Sequence, residues 1–242
     1  TTLLVVFIIT SLGLSVLNAL MREPEPPTVR APTPFLERLK EFPALLTADP
    51  GFAWFMIARS LAMGIRIGWP FFFLYATDQL GLDAAREPER FGAVFAMLTF
   101  AYMAADTVSN LIWGYLADRT GFRTTLILSL VLNLVGVAGL ILGEGLWPAL
   151  AAFIALGAAQ SAYLMSTTNI VMEFGHRHDM PMRMALSNTA EGLMGALAPL
   201  LGGALVVAYG YQSAFIATIV AIAVALVIVV LKVDEPRRRR AL

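Results

Sequence analysis

From Gly192 to Leu231 the sequence carries no charged residue. One helix through that stretch would be about 60 Å long, twice the roughly 30 Å hydrocarbon core of a bilayer. The run is therefore too apolar for a solvated surface and too long for a single span. Tyr209-Gly210-Tyr211-Gln212-Ser213 supplies a helix-ending glycine, two interface-seeking tyrosines and an N-cap serine, so the run is expected to divide there.

The same length test gives further spans upstream. Thr1–Leu20 is uncharged, Trp54–Thr77 is apolar except for Arg59 and Arg66, and Phe91–Leu116 is interrupted by Asp106 alone. Thr124–Leu142 and Leu146–Met172 are uncharged, Met184–Tyr209 carries only Glu191, and Ser213–Leu231 closes the series. The expectation is an all-α integral membrane protein with seven transmembrane helices. Composition agrees: 58% of residues are hydrophobic and 14% charged, against about 25% charged in soluble domains. Equal numbers of basic and acidic residues, 17 each, argue against a basic nucleic-acid face, so no nucleic acid is expected as a partner. The absence of cysteine excludes disulfides, thiolate catalysis and Cys-based metal sites.

Lys and Arg fall on one side of the expected spans. They are Arg22, Arg30, Arg38 and Lys40, then Arg119 and Arg123, then Arg177 and Arg183, then Lys232 and Arg237 to Arg240. The opposite loops hold Arg86 and Arg90, balanced by Asp83, Glu87 and Glu89. The positive-inside rule thus predicts a multi-pass protein of the cell (plasma or inner) membrane, with the C-terminus cytoplasmic and residue 1 outside. Thr1 follows no initiating Met and no basic n-region, so an external start with an odd span count implies a missing upstream portion.

Prolines 24, 26, 27, 32, 34, 43 and 50 crowd into residues 21–51, which therefore cannot form one helix. This segment is expected to be a cytoplasmic linker, with Phe35, Leu36, Leu39 and Phe42 forming either a short membrane-surface helix or part of a disordered tether. The expected organisation is a lone span at 1–20, the linker at 21–51, a six-helix bundle at 52–232 and a basic tail at 233–242.

Between the third and fourth spans stands Gly114-Tyr115-Leu116-Ala117-Asp118-Arg119-Thr120-Gly121-Phe122-Arg123. A tight loop joining two antiparallel helices needs a residue such as Gly121 that accepts positive φ, while Gly114 allows close backbone approach. Asp118 can face a helix N-terminus or pair with Arg119 or Arg123. Taken together, the run resembles the cytoplasmic signature of the major facilitator superfamily, with Phe122 standing where a basic residue is expected. That family repeats the signature in both halves of a twelve-span transporter. The resemblance makes Thr1–Leu20 look like helix six, residues 21–51 like the central linker, and residues 52–232 like helices seven to twelve. It implies a missing N-terminal half as partner. Pro199-Leu200-Leu201-Gly202-Gly203 resembles the core of the family's proline–glycine antiporter motif, with Ala198 at an expected glycine. Pro199, with Gly195, Gly202 and Gly203, reads as a kink or close-packing element.

An ionisable group at mid-bilayer costs at least about 2.5–3.5 kcal/mol, so Arg59, Arg66, Asp106 and Glu191 each need a partner or a wet cavity. Arg59 and Arg66 share a face, and Arg59 lies close enough to the cytoplasmic edge to snorkel. Asp106 shares a face with Asn110, and Glu191 with Ser187, Asn188 and Gly195. They serve either as structural pairs or as substrate and coupling residues near the midplane. In the second reading Arg66 attracts an anionic group, and Asp106 or Glu191 alternates between protonation and pairing. Gln160 and Asn169 are further cavity candidates, since an amide facing lipid would be unsatisfied. His176-Arg177-His178-Asp179 reads as a solvated loop, and no metal or cofactor is expected.

The leading function is a secondary active transporter of a small organic solute, working by alternating access and coupled to a proton or other ion. No phosphate-cradling loop is present to use ATP. The alternatives are a seven-span receptor-like or structural membrane protein and, lower, an intramembrane enzyme, for which no HExxH or catalytic carboxylate pair exists.

Overall fold

A computed structural model describes residues 2–21, 42–43, 45–174 and 179–235. The expected surface helix near 35–41, His176–His178 and Arg237–Arg240 lie outside the described residues. The chain divides into two units, Thr1–Lys40 and Glu41–Leu242. The first holds one apolar helix, α1 (Thr2–Leu20), whose side chains from Phe7 onward are exposed.

In the second unit every element detailed below is helical: α2 (Pro50–Ala62), α3 (Ile65–Gln79), α4 (Pro88–Thr120), α5 (Phe122–Leu142), α6 (Leu146–Glu173), α7 (Met180–Tyr209) and α8 (Tyr211–Lys232). Taking α2 and α3 as one stretch, Pro50–Gln79, six helices among the described residues are long and apolar enough to cross a membrane. The searched part of α1, Phe7–Leu20, is a shorter apolar helix.

Local chemistry sets the helix ends. Asp49 caps α2 by accepting a hydrogen bond from the Phe52 N–H at 3.1 Å, and Pro50 supplies the fixed φ of a first helical turn. The expected continuous span Trp54–Thr77 is broken at Met63–Gly64. There the Gly64 N–H closes on Leu61 rather than one residue further back, a tighter turn that separates α2 from α3. The uncharged run divides at Gly210, with φ +82°. Ser213 is not the N-cap the sequence suggested. Gly210 occupies that position, and the Ser213 hydroxyl donates to the Gly210 and Leu205 carbonyls instead.

Two apolar layers fill the bundle. One packs Phe52, Phe55, Leu126, Phe174 and Val229, and the other packs Phe72, Leu98, Phe153, Leu156 and Phe215. Helix α6 is the central post: 56% of its spanning window is buried, against 6% for α4 and 11% for α7. Helices α4 and α7 therefore keep long outer faces, where Leu111, Leu193 and Leu200 are exposed beside Asn110 and Asn188. Gly202 lets α7 cross α3 at backbone contact, since a Cβ there would strike the Ile67 carbonyl, while a Cβ on Gly203 would meet nothing within 4 Å. The expected glycine pair thus splits, one residue packing and the other on an open face.

Candidate functional site

Arg59, Arg66, Asp106 and Glu191 lie within the helices long enough to cross a membrane. On α7, Ser187, Glu191 and Gly195 recur every four residues and form one stripe. Arg59 of α2 meets its lower part, pairing with the Glu191 carboxylate and donating to the Ser187 hydroxyl. The arginine is 6% exposed and Glu191 21%. The Tyr163 hydroxyl of α6 donates to the Arg59 carbonyl at 3.3 Å, tying a third helix to the pair. Arg59 therefore does not snorkel: its acceptors lie inside the bundle, and turning inward satisfies the charge better than the membrane edge would.

One turn further along the same stripe, Arg66 runs beside Gly195, whose Cβ position lies 3.8 Å from the arginine Cδ. Glycine offers no acceptor from its side chain. The Arg66 side chain makes no hydrogen bond or ion pair among the described residues. It lines a cavity of about 140 Å³ with Trp69, Tyr102, Asn133, Leu156 and Gln160, where α3, α4, α5 and α6 converge. Of the lining residues, Leu156 belongs to one apolar layer and Met63 to the other, so the polar opening sits where the two cores meet. Two prolines loosen this level. Pro70 cannot donate to the Arg66 carbonyl, nor Pro199 to that of Gly195, because proline lacks the N–H that closes a helical turn.

The other sequence-selected residues are distributed differently. Asp106 is partly exposed one turn from Tyr102, and both it and Arg66 act electrostatically on that tyrosine. The Asn110 amide donates to the Asp106 carbonyl at 2.9 Å, and Asn169 to that of Met165 at 2.7 Å, so both amides are spent on their own helices. Asn188 is exposed on α7, outside the cavity. Among the selected residues, Arg66 and Gln160 share the cavity and Glu191 lies in the neighbouring pair.

At one end of the bundle the α4–α5 turn has its own arrangement. Gly121 has φ +91°, and a Cβ there would strike the Glu235 carboxylate. Only glycine fits on both counts. Glu235 accepts from the Arg123 N–H at 3.1 Å, and the Arg123 guanidinium donates to the Val230 carbonyl at 2.8 Å and to that of Val229 at 3.4 Å. Arg123 thus closes the carbonyl end of α8, while Glu235 faces the positive end of α5. This is the role expected of Asp118, which is exposed instead. Arg119 stacks over the Tyr115 ring at 4.3 Å rather than pairing with Asp118. Gly114 has nothing within 4 Å of its Cβ position because it lies on the open face of α4. Phe122 is buried among the apolar residues of the first layer, where a basic side chain would lack a partner.

A family model described as Major Facilitator Superfamily matches residues 87–242. The chain belongs to this superfamily. No curated protein matches it. The match runs over α4 to α8 and includes the glycine–Asp-Arg–glycine turn. As a superfamily member the chain is a multi-pass membrane transporter, acting in a lipid bilayer on small solutes.

Several residues at the cavity and the helix ends carry little single-segment signal in the sequence. Asn133 is a buried amide in the uncharged Thr124–Leu142 run, and Tyr102 stands one turn from Asp106. Both could have been found by asking which polar groups in a span need a partner. Arg183, taken as a loop charge, lies inside the first turn of α7, 3.2 Å from the Asp49 carboxylate and 4.5 Å above the Phe52 ring. Only the tertiary fold brings Asp49 and Arg183 together, and the same holds for Glu235 and Arg123. Among the described residues no group of three His, Cys, Asp or Glu could hold a metal ion.

Proposed function

We propose that the chain supplies one wall of an alternating-access pathway for a small organic solute, with movement coupled to protonation of Glu191. Arg66 and its cavity offer the solute contact, and the Arg59–Glu191 pair is the coupling element. The observation that carries the reading is the placement of these two arginines on consecutive turns of one α7 stripe, one satisfied and one open. Protonating Glu191 removes the charge that holds α2 to α7 at Arg59. Restoring it draws the helices together again. Arg59 pairs with that carboxylate, and the Tyr163 hydroxyl bonds to the Arg59 carbonyl.

Around this core we place the finer assignments. The open faces of α4 and α7 fit a second helical bundle across the pathway, α1 serves as a further span, and residues 21–51 serve as the connecting linker. The α4–α5 turn, the linker and the tail lie on the cytoplasmic side of the cell membrane, following the excess of Lys and Arg there. Exchange against protons and co-transport with them both fit the pair chemistry.

Flux measured against external pH in proteoliposomes of the intact protein tests the coupling. Glu191→Gln is expected to flatten the pH profile, and Asp106→Asn to leave most of it in place. A profile unchanged in both variants removes proton coupling through these acids.

A further inference from the structure

The cavity at Arg66 differs from the rest of the bundle in how its polar groups are spent. Arg59 has Glu191 and Ser187, and Asn110 and Asn169 bond carbonyls of their own helices. The side chains of Arg66, Asn133 and Gln160 make no hydrogen bond or ion pair among the described residues, yet all three line one opening. The arginine is exposed at this opening and the amides beside it find no protein partner, so all three polar groups are free to meet a ligand.

The remaining wall limits what that ligand is. Trp69 and Tyr102 stand with ring centroids 4.9 Å apart and give the opening an aromatic part of its lining. The volume, about 140 Å³, is close to the roughly 150 Å³ cavity that accommodates benzene in a protein core. A single cation lines it, which suits one carboxylate better than a doubly charged phosphate, whose second charge would find no partner. Asp106 is near but is not part of the lining.

Resting on the transporter reading, we infer that this cavity is a subsite for a single-ring aromatic monocarboxylate. The carboxylate lies on the Arg66 guanidinium and the ring lies against Trp69 and Tyr102. A polar ring substituent lies within reach of Asn133 and Gln160.

Equilibrium binding of labelled 4-hydroxybenzoate to the purified intact protein in lipid nanodiscs at neutral pH tests this, with flux followed on the same preparation in proteoliposomes. Benzoate is expected to compete. Benzamide, which keeps the shape without the charge, should compete about tenfold more weakly or worse, a difference of about 1.4 kcal/mol, and inorganic phosphate should not compete. Arg66→Gln should erase the preference for benzoate over benzamide, Arg66→Lys should keep it, and Trp69→Leu should weaken both ligands. No binding, equal competition by benzamide, or competition by phosphate overturns the inference, and these comparisons need only the unaltered protein. Binding without flux supports the subsite and removes the transport reading. Flux of other solutes without binding does the reverse.

Discussion

Arg59 and Arg66 stand seven positions apart in one membrane-crossing stretch and lie along the same stripe of α7, yet their surroundings are opposite. Arg59 meets a carboxylate and a hydroxyl and is buried. Arg66 meets a glycine and opens into a cavity. The side chains are identical, and the residue facing each one on α7 decides its environment. A charge in a span is a structural tie where the opposing helix supplies an acceptor, and a recognition element where it supplies space.

The sharpest way to break this contrast is to remove the satisfied charge. Arg59→Met leaves the Glu191 carboxylate, 21% exposed, without its ion-pair partner and is expected to destabilise the protein by about 3 kcal/mol, read as a fall in melting temperature in detergent. Adding Glu191→Met should recover much of that loss. A double variant no more stable than the single one would mean that the pair contributes little beyond packing. A second change gives the open arginine what the first one has. Gly195→Asp places a carboxylate beside Arg66 and is expected to lower affinity for 4-hydroxybenzoate about tenfold, or about 1.4 kcal/mol. Unchanged affinity would mean that Arg66 does not hold the anion. The smallest effect is expected from Arg66→Met. With no protein partner to lose, its melting temperature should stay within the equivalent of about 0.5 kcal/mol of the parent or rise. A fall as large as that of Arg59→Met would reveal a partner and collapse the distinction.

What the sequence makes legible is whatever depends on one segment at a time. Uncharged length marks the membrane helices, and a glycine between tyrosines marks the break at Gly210. Helical spacing places Ser187, Glu191 and Gly195 on one stripe. The break at Met63–Gly64 is harder to see, since it is a local tightening inside a run that reads as continuous. Pairings between distant segments are harder still. Nothing local to Asp118 reveals that Glu235 takes the place at the start of α5, nor does anything near Asp49 point to Arg183. The cavity has the same character: its walls come from four helices, and Asn133 becomes meaningful only when Arg66 and Gln160 are seen across from it.

The contacts between Arg123 and Glu235 run in both directions. The arginine grips the last carbonyls of α8, and the acid just past that helix grips an amide in the first turn of α5. Such a crossed clasp leaves neither end free to swing alone. Under the proposed alternating-access cycle, a shift of the signature turn would break these contacts unless α8 moved with it, which makes the two helix ends one mechanical unit.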